Sequence, residues 1–183
     1  MAETSPQFKV YYSWRPYLWT GDLLEWQSNT VLGCIIRMFT GKDVNHTGLV
    51  IRYMNFDTER VYTLEALAKG FYPNLLSKRL ARYKGRLYWL QLLPSLDEYR
   101  PVIAREAMKY IGTGYDFSSL IKQVLVKVKV SPEFLFCSEG AYISYRDAKV
   151  PFKPYNPNMD LSQAPQPGNF KKLGIFKERI RIF

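Results

Sequence analysis

The sequence predicts an α+β domain, and three observations carry that prediction. Segments rich in β-branched and aromatic residues with two-residue alternation crowd the first half of the chain, and 3.6-residue periodicity crowds the second. Pro151, Pro154, Pro157, Pro165 and Pro167 then interrupt regular structure in the tail. At 183 residues, 47% apolar and 23% charged, the chain suits one domain with a sizeable core rather than a disordered polymer. We take residues 1–183 as that single domain: an aromatic arm over 1–19, a core over 20–147 and a Pro-rich extension over 148–183.

Residues 8–19 are bracketed by Pro6 and Pro16 and hold Phe8, Tyr11, Tyr12, Trp14, Tyr17 and Trp19, an irregular arm anchored by aromatics. Gly21-Asp22 reads as a turn into a short strand, Leu23 to Trp26. From Asn29 to Phe39, the helical spacing of Val31, Leu32, Ile35, Ile36 and Phe39 predicts an amphipathic helix ended by Gly41, with Cys34 in its core. Thr47 to Tyr53 and Arg60 to Ala66 form a hairpin signal across Met54 to Glu59. A basic connection containing Lys78, Arg79, Arg82 and Lys84 leads to a strand from Arg86 to Leu93.

Ser95-Leu96-Asp97-Glu98 has the spacing of a capping box. It predicts a helix that tolerates Pro101 early, buries Ile103, Ala107, Tyr110 and Ile111, and stops at Gly112. Ser118 to Val130 fits a helix or alternating strand, with the helix favoured. Cys137, Ala141 and Tyr145 recur every four residues and predict a helix opening at Phe136-Cys137. A last strand is expected near Gly174 to Phe183.

The charge is +10, from 26 Lys and Arg against 16 Asp and Glu, which would concentrate nucleic acid, anionic lipid or an acidic partner. The basic residues are dispersed, so a solvated surface explains them equally. The N-terminal residues lack the basic and apolar regions of a secretory signal, and no stretch approaches a membrane span; a cytoplasmic protein is the expectation. One histidine and two cysteines argue against a disulfide framework and against a metal site of Cys and His, so neither metal nor cofactor is expected.

The same scarcity narrows the chemistry. Cys137 at a helix N-terminus would gain from the positive dipole end, which favours thiolate, and from backbone N–H groups able to hold an oxyanion. A small buried residue is the alternative for Cys137 taken alone. His46 is the one neutral-pH base available, and a satisfied surface histidine is its alternative. With the hairpin loop centred near Asn55 and Phe56, His46 falls opposite Glu65 on a shared face. Glu65 interrupts the run Val61 to Leu67, either as an edge charge or as the group that orients His46. Glu139 is a further carboxylate, better suited to the helix dipole.

Gly21-Asp22-Leu23-Leu24-Glu25-Trp26, Asn45-His46-Thr47-Gly48-Leu49-Val50-Ile51, Leu64-Glu65-Ala66, Gly114-Tyr115-Asp116-Phe117 and Phe136-Cys137-Ser138-Glu139 occur in an order that resembles the circularly permuted NlpC-type papain-like cysteine hydrolases, particularly the YiiX/YaeF-like branch. The resemblance spans residues 20–147. It implies a permuted papain-like fold with an antiparallel sheet packed on helices and the nucleophile at a helix N-terminus. By the same resemblance, Cys137 is the nucleophile, His46 the base and Glu65 the orienting acid of an amidase or cysteine peptidase. The expected substrate bears an amide, ester or thioester, as in a peptide, peptidoglycan fragment or acyl lipid. Acyl transfer or lipid deacylation by the same triad is one alternative. A non-catalytic basic module is the other, using residues from Lys69 to Arg86 with Phe71, Tyr72 and Tyr83 to stack nucleic-acid bases.

Overall fold

The computed structural model describes residues 6–29, 34, 41–55, 58–67, 70–113, 137–158 and 164–183. Its centre is a six-stranded antiparallel sheet in the order β4-β3-β2-β1-β5-β6. The strands are β1 (Leu23–Gln27), β2 (His46–Asn55), β3 (Thr58–Leu67), β4 (Gly70–Leu75), β5 (Arg86–Leu90) and β6 (Ile180–Arg181). Helices α1 (Pro6–Trp14), α2 (Leu76–Ala81), α3 (Arg100–Met108) and α4 (Cys137–Asp147) complete the framework.

Side-chain alternation divides the sheet between two cores. Leu23, Leu49, Leu64, Ala66, Phe71 and Leu90 point to one side and gather with Ile103 and Ala107 of α3 and Ala141, Tyr142 and Tyr145 of α4. Leu24, Trp26, Val50, Val61, Leu87 and Trp89 point to the other, where Leu76 and Leu80 of α2 and Tyr11 of α1 cover them. Close approach of α4 needs Gly140: a Cβ there would stand 2.6 Å from the ring of Phe71.

The arm is more regular than expected, because Pro6 opens α1 and places Tyr11 in the second core. Two elements lie in the stretch read as a connection. β4 contains Pro73, which is tolerated because β4 is an edge strand, and α2 follows it directly. No capping box forms at Ser95: Pro94–Tyr99 is a 3-10 turn without a side-chain cap, and the α-helix begins at Arg100 with Pro101 in its first turn. Of the residues expected inside it, Ile103 and Ala107 are buried, whereas Tyr110 and Ile111 are half-buried beyond its end. Cys34 is helical but exposed, not a core residue. The remainder of the helix predicted from Asn29 to Phe39, Ser118 to Val130 and the Gly114 to Phe117 motif lie outside the described residues.

The extension contributes Phe170, Leu173, Ile175 and Phe176 to the first core, and β6 pairs with β5. It is also tied by charge. Glu25, buried on β1, accepts from the Gly168 N–H at 3.0 Å and from Arg179 at 3.2 Å. Arg179 bonds Asp43 as well and lies over the Tyr88 ring at 4.4 Å.

The entrance to β1 is fixed by Asp22, which has no exposed surface. Its carboxylate accepts from the Trp19 and Leu92 N–H groups at 3.0 and 3.1 Å, Trp89 Nε1 at 2.9 Å and Arg100 at 2.8 Å. Burial pushes its pKa upward, and the hydrogen bonds and Arg100 act the other way. Every group around it is a donor, so an amide cannot replace it without a donor facing a donor. Asp22→Asn should therefore cost about 3–5 kcal/mol, the range for breaking a buried ion pair. Equilibrium urea unfolding measures this, and a loss below about 1 kcal/mol would contradict the assignment.

Candidate functional site

His46 begins β2 and lies directly across from Trp26 of β1. The β2–β3 register runs Asn55↔Thr58 to Leu49↔Leu64, so its continuation sets Glu65 across from Gly48, not from His46. The hairpin loop is centred one residue later than the sequence suggests, which slides the pairing by two positions. An even slide preserves the face, leaving His46 and Glu65 as diagonal neighbours. Gly48 keeps the diagonal open: a Cβ there would collide with Thr63 Oγ1 and come within 2.9 Å of Glu65 Cγ.

Across this opening, His46 Nε2 meets Glu65 Oε2 at 2.7 Å. The Glu65 side chain has no exposed surface, and that of His46 is 12% exposed. Arg79, from α2, brings its Nε to 3.2 Å from both Oε1 and Oε2 of Glu65. Its guanidinium lies 4.7 Å from the Trp26 ring centroid and 5.5 Å from that of Tyr83. An anionic carboxylate only accepts hydrogen bonds, so the His46 contact fixes the neutral imidazole as the Nε2–H tautomer and makes Nδ1 the basic atom.

Cys137 is the first residue of α4, and Glu139 lies in its first turn. The side chain of Cys137 lies outside the described part of the structure. The helix itself is located. Gly140 abuts Phe71, which pairs with Ala66, while the Tyr145 hydroxyl donates to the Gly21 carbonyl at 2.9 Å. The N-terminus of α4 thus sits at the end of the sheet where β2 begins and β3 ends, the end carrying His46 and Glu65. Its core contacts use the face of Leu49 and Leu64, opposite that of Glu65 and Trp26.

Sequence reasoning missed Arg79 and Trp26 as neighbours of the site. Arg79 was one cation among several in a stretch read as a connection. The i,i+4 pair Leu76 and Leu80, both buried, is the one helical signal in α2, and it is too short to stand out in the sequence.

No family model matches this sequence, and no curated protein matches it. Among solved structures, the chain is similar to the metalloprotein yiiX from Escherichia coli O157:H7, with a TM-score of 0.58 and 20% identity over 88% of this chain and 94% of that one. The likeness shows a YiiX-like fold. No helix among the described residues is long and apolar enough to cross a membrane.

Gly48 supplies a test of the diagonal. Glycine within a strand ordinarily costs roughly 0.5–1 kcal/mol relative to alanine. Gly48→Ala should instead destabilise by about 1–3 kcal/mol, because the methyl displaces Thr63 and Glu65. Urea unfolding reads the sign, and a gain in stability would refute the packing.

Proposed function

We propose that this protein is a thiol-dependent acyl hydrolase that cleaves an amide, ester or thioester through an acyl-enzyme on Cys137. The observation that carries the reading is the 2.7 Å contact between the sole histidine and a fully buried carboxylate. Burying a carboxylate is costly, and pairing it with an imidazole matches the base-and-orienter half of a nucleophile triad. The location of Cys137 at the N-terminus of α4, at the same end of the sheet, supports it as the nucleophile.

In this mechanism the Cys137 proton passes to His46 Nδ1, and the Nε2–H of the resulting imidazolium is held by Glu65. The thiolate attacks the carbonyl carbon, a C–S bond forms, and the electron pair moves to oxygen, where the Cys137 N–H helps stabilise it. Collapse expels the leaving amine, alcohol or thiol, which takes the proton from His46. Water then gives a proton to His46 and attacks the thioester, releasing the acid and restoring the thiol. A second acceptor in place of water would give acyl transfer. Peptides, peptidoglycan fragments and acyl lipids are the substrate classes that fit, and the basic charge would favour an anionic surface around them.

Two other readings fit less well. The neighbour named a metalloprotein invites a metal at this site. Here both Glu65 oxygens receive Arg79, a cation that would oppose a metal ion, and the described residues hold no group of three or more His, Cys, Asp and Glu able to bind one. A nucleic-acid platform would need exposed aromatics between Lys69 and Arg86. Of the three aromatics there, Phe71 and Tyr83 are buried and Tyr72 alone is exposed, and Arg79 is turned onto Glu65.

Iodoacetamide at neutral pH tests the reading, with mass spectrometry locating the adduct. Cys137 should react about tenfold or more faster than the exposed Cys34, and His46→Ala should abolish the difference. Equal labelling of the two cysteines, or indifference to His46→Ala, would overturn the function.

A further inference from the structure

Building on the reading of His46 as base, we infer that Arg79 is a positioning residue that acts through Glu65: it holds the carboxylate in the orientation that keeps His46 in its Nε2–H tautomer.

Glu65 has to be held by something other than solvent, because its side chain is wholly buried. Arg79 meets both carboxylate oxygens from one side while His46 meets Oε2. The orientation of the carboxylate is therefore set by two partners on different elements. Arg79 is itself set by the Trp26 and Tyr83 rings. Trp26 Nε1 is buried with no hydrogen-bond partner among the described residues, so the indole contributes its face rather than its N–H. Because Trp26 lies across from His46, one aromatic residue adjoins both the imidazole and the guanidinium.

The chemistry makes Arg79 necessary. Without the guanidinium that aims it, the buried carboxylate turns away from His46. His46 Nε2–H then loses its acceptor, and the proton of a neutral imidazole moves onto Nδ1. Nδ1 then has no lone pair with which to take the thiol proton. Lysine lacks the planar face that stacks on Trp26 and Tyr83, so it restores the charge without the geometry.

Full-length protein labelled with 15N-histidine contains one imidazole, so its nitrogen shifts report His46 alone. At a pH where the ring is neutral, the wild type should show the Nε2–H tautomer and Arg79→Met a large Nδ1–H population, with Arg79→Lys between them. The iodoacetamide rate at Cys137 should fall roughly tenfold in Arg79→Met, as the thiolate loses its base. In a Glu65→Gln background, the same change should add less than about twofold, because residues acting in series are not additive. A folded Arg79→Met protein with an unchanged tautomer, or rate effects that multiply, would overturn the inference. If Arg79→Met does not fold, Arg79→Lys decides by the same spectrum. The spectrum requires no turnover: a tautomer controlled by Arg79 alongside an unreactive Cys137 would leave this inference standing and remove the proposed function.

Discussion

A carboxylate with no exposed surface has to be met by hydrogen-bond donors and positive charge, and Glu65 is the point at which that requirement organises the candidate site. His46 comes from β2, Glu65 from β3 and Arg79 from α2, while Trp26 on β1 supports the guanidinium. Two neighbouring strands and a covering helix are thus joined at one side chain, and a third strand supports the guanidinium. Gly48 makes the arrangement sterically possible, since any side chain there would occupy the space through which Glu65 and His46 meet.

Asp22 and Glu25 meet the same requirement elsewhere on β1 and its entrance, and both carboxyls are pushed upward in pKa by burial. Asp22 binds the arm and the start of α3 to the sheet through Trp19 and Arg100. Glu25 binds the extension through Gly168 and Arg179. The sheet therefore has three buried carboxylates with different consequences. Two join segments remote in sequence, and the third holds an imidazole. α4 packs on the face opposite Glu65, so its N-terminal end lies beyond the end of β2 rather than across the His46 face of the sheet.

The hairpin that carries His46 and Glu65 was legible because alternation is a strong signal and because a two-residue error in register does not change the face. The helix Cys137–Asp147 was legible from the four-residue recurrence of Cys137, Ala141 and Tyr145. β4 and α2 were not. Pro73 obscured a strand whose edge position accommodates it, and six residues are too few for helical periodicity to stand out. The inward turn of Arg79 was lost with them, since a cation in a basic run gives no local sign that it faces a carboxylate. The capping box at Ser95 failed for a different reason: Pro94 starts a 3-10 turn and delays the helix to Arg100. The charge of +10 is also better resolved, because Arg79, Arg100 and Arg179 are engaged with buried carboxylates and do not belong to a uniform basic surface.

On the proposed function, Cys137 and His46 work as one unit. A short bifunctional alkylating reagent, able to bridge a thiol and an imidazole in contact range, tests this most directly in the intact protein. With a single histidine in the chain, a cross-linked peptide pair has only one imidazole origin. A Cys137–His46 cross-link is expected as the principal product, lost in His46→Ala. Alkylation of Cys137 without any bridge to His46 would contradict it.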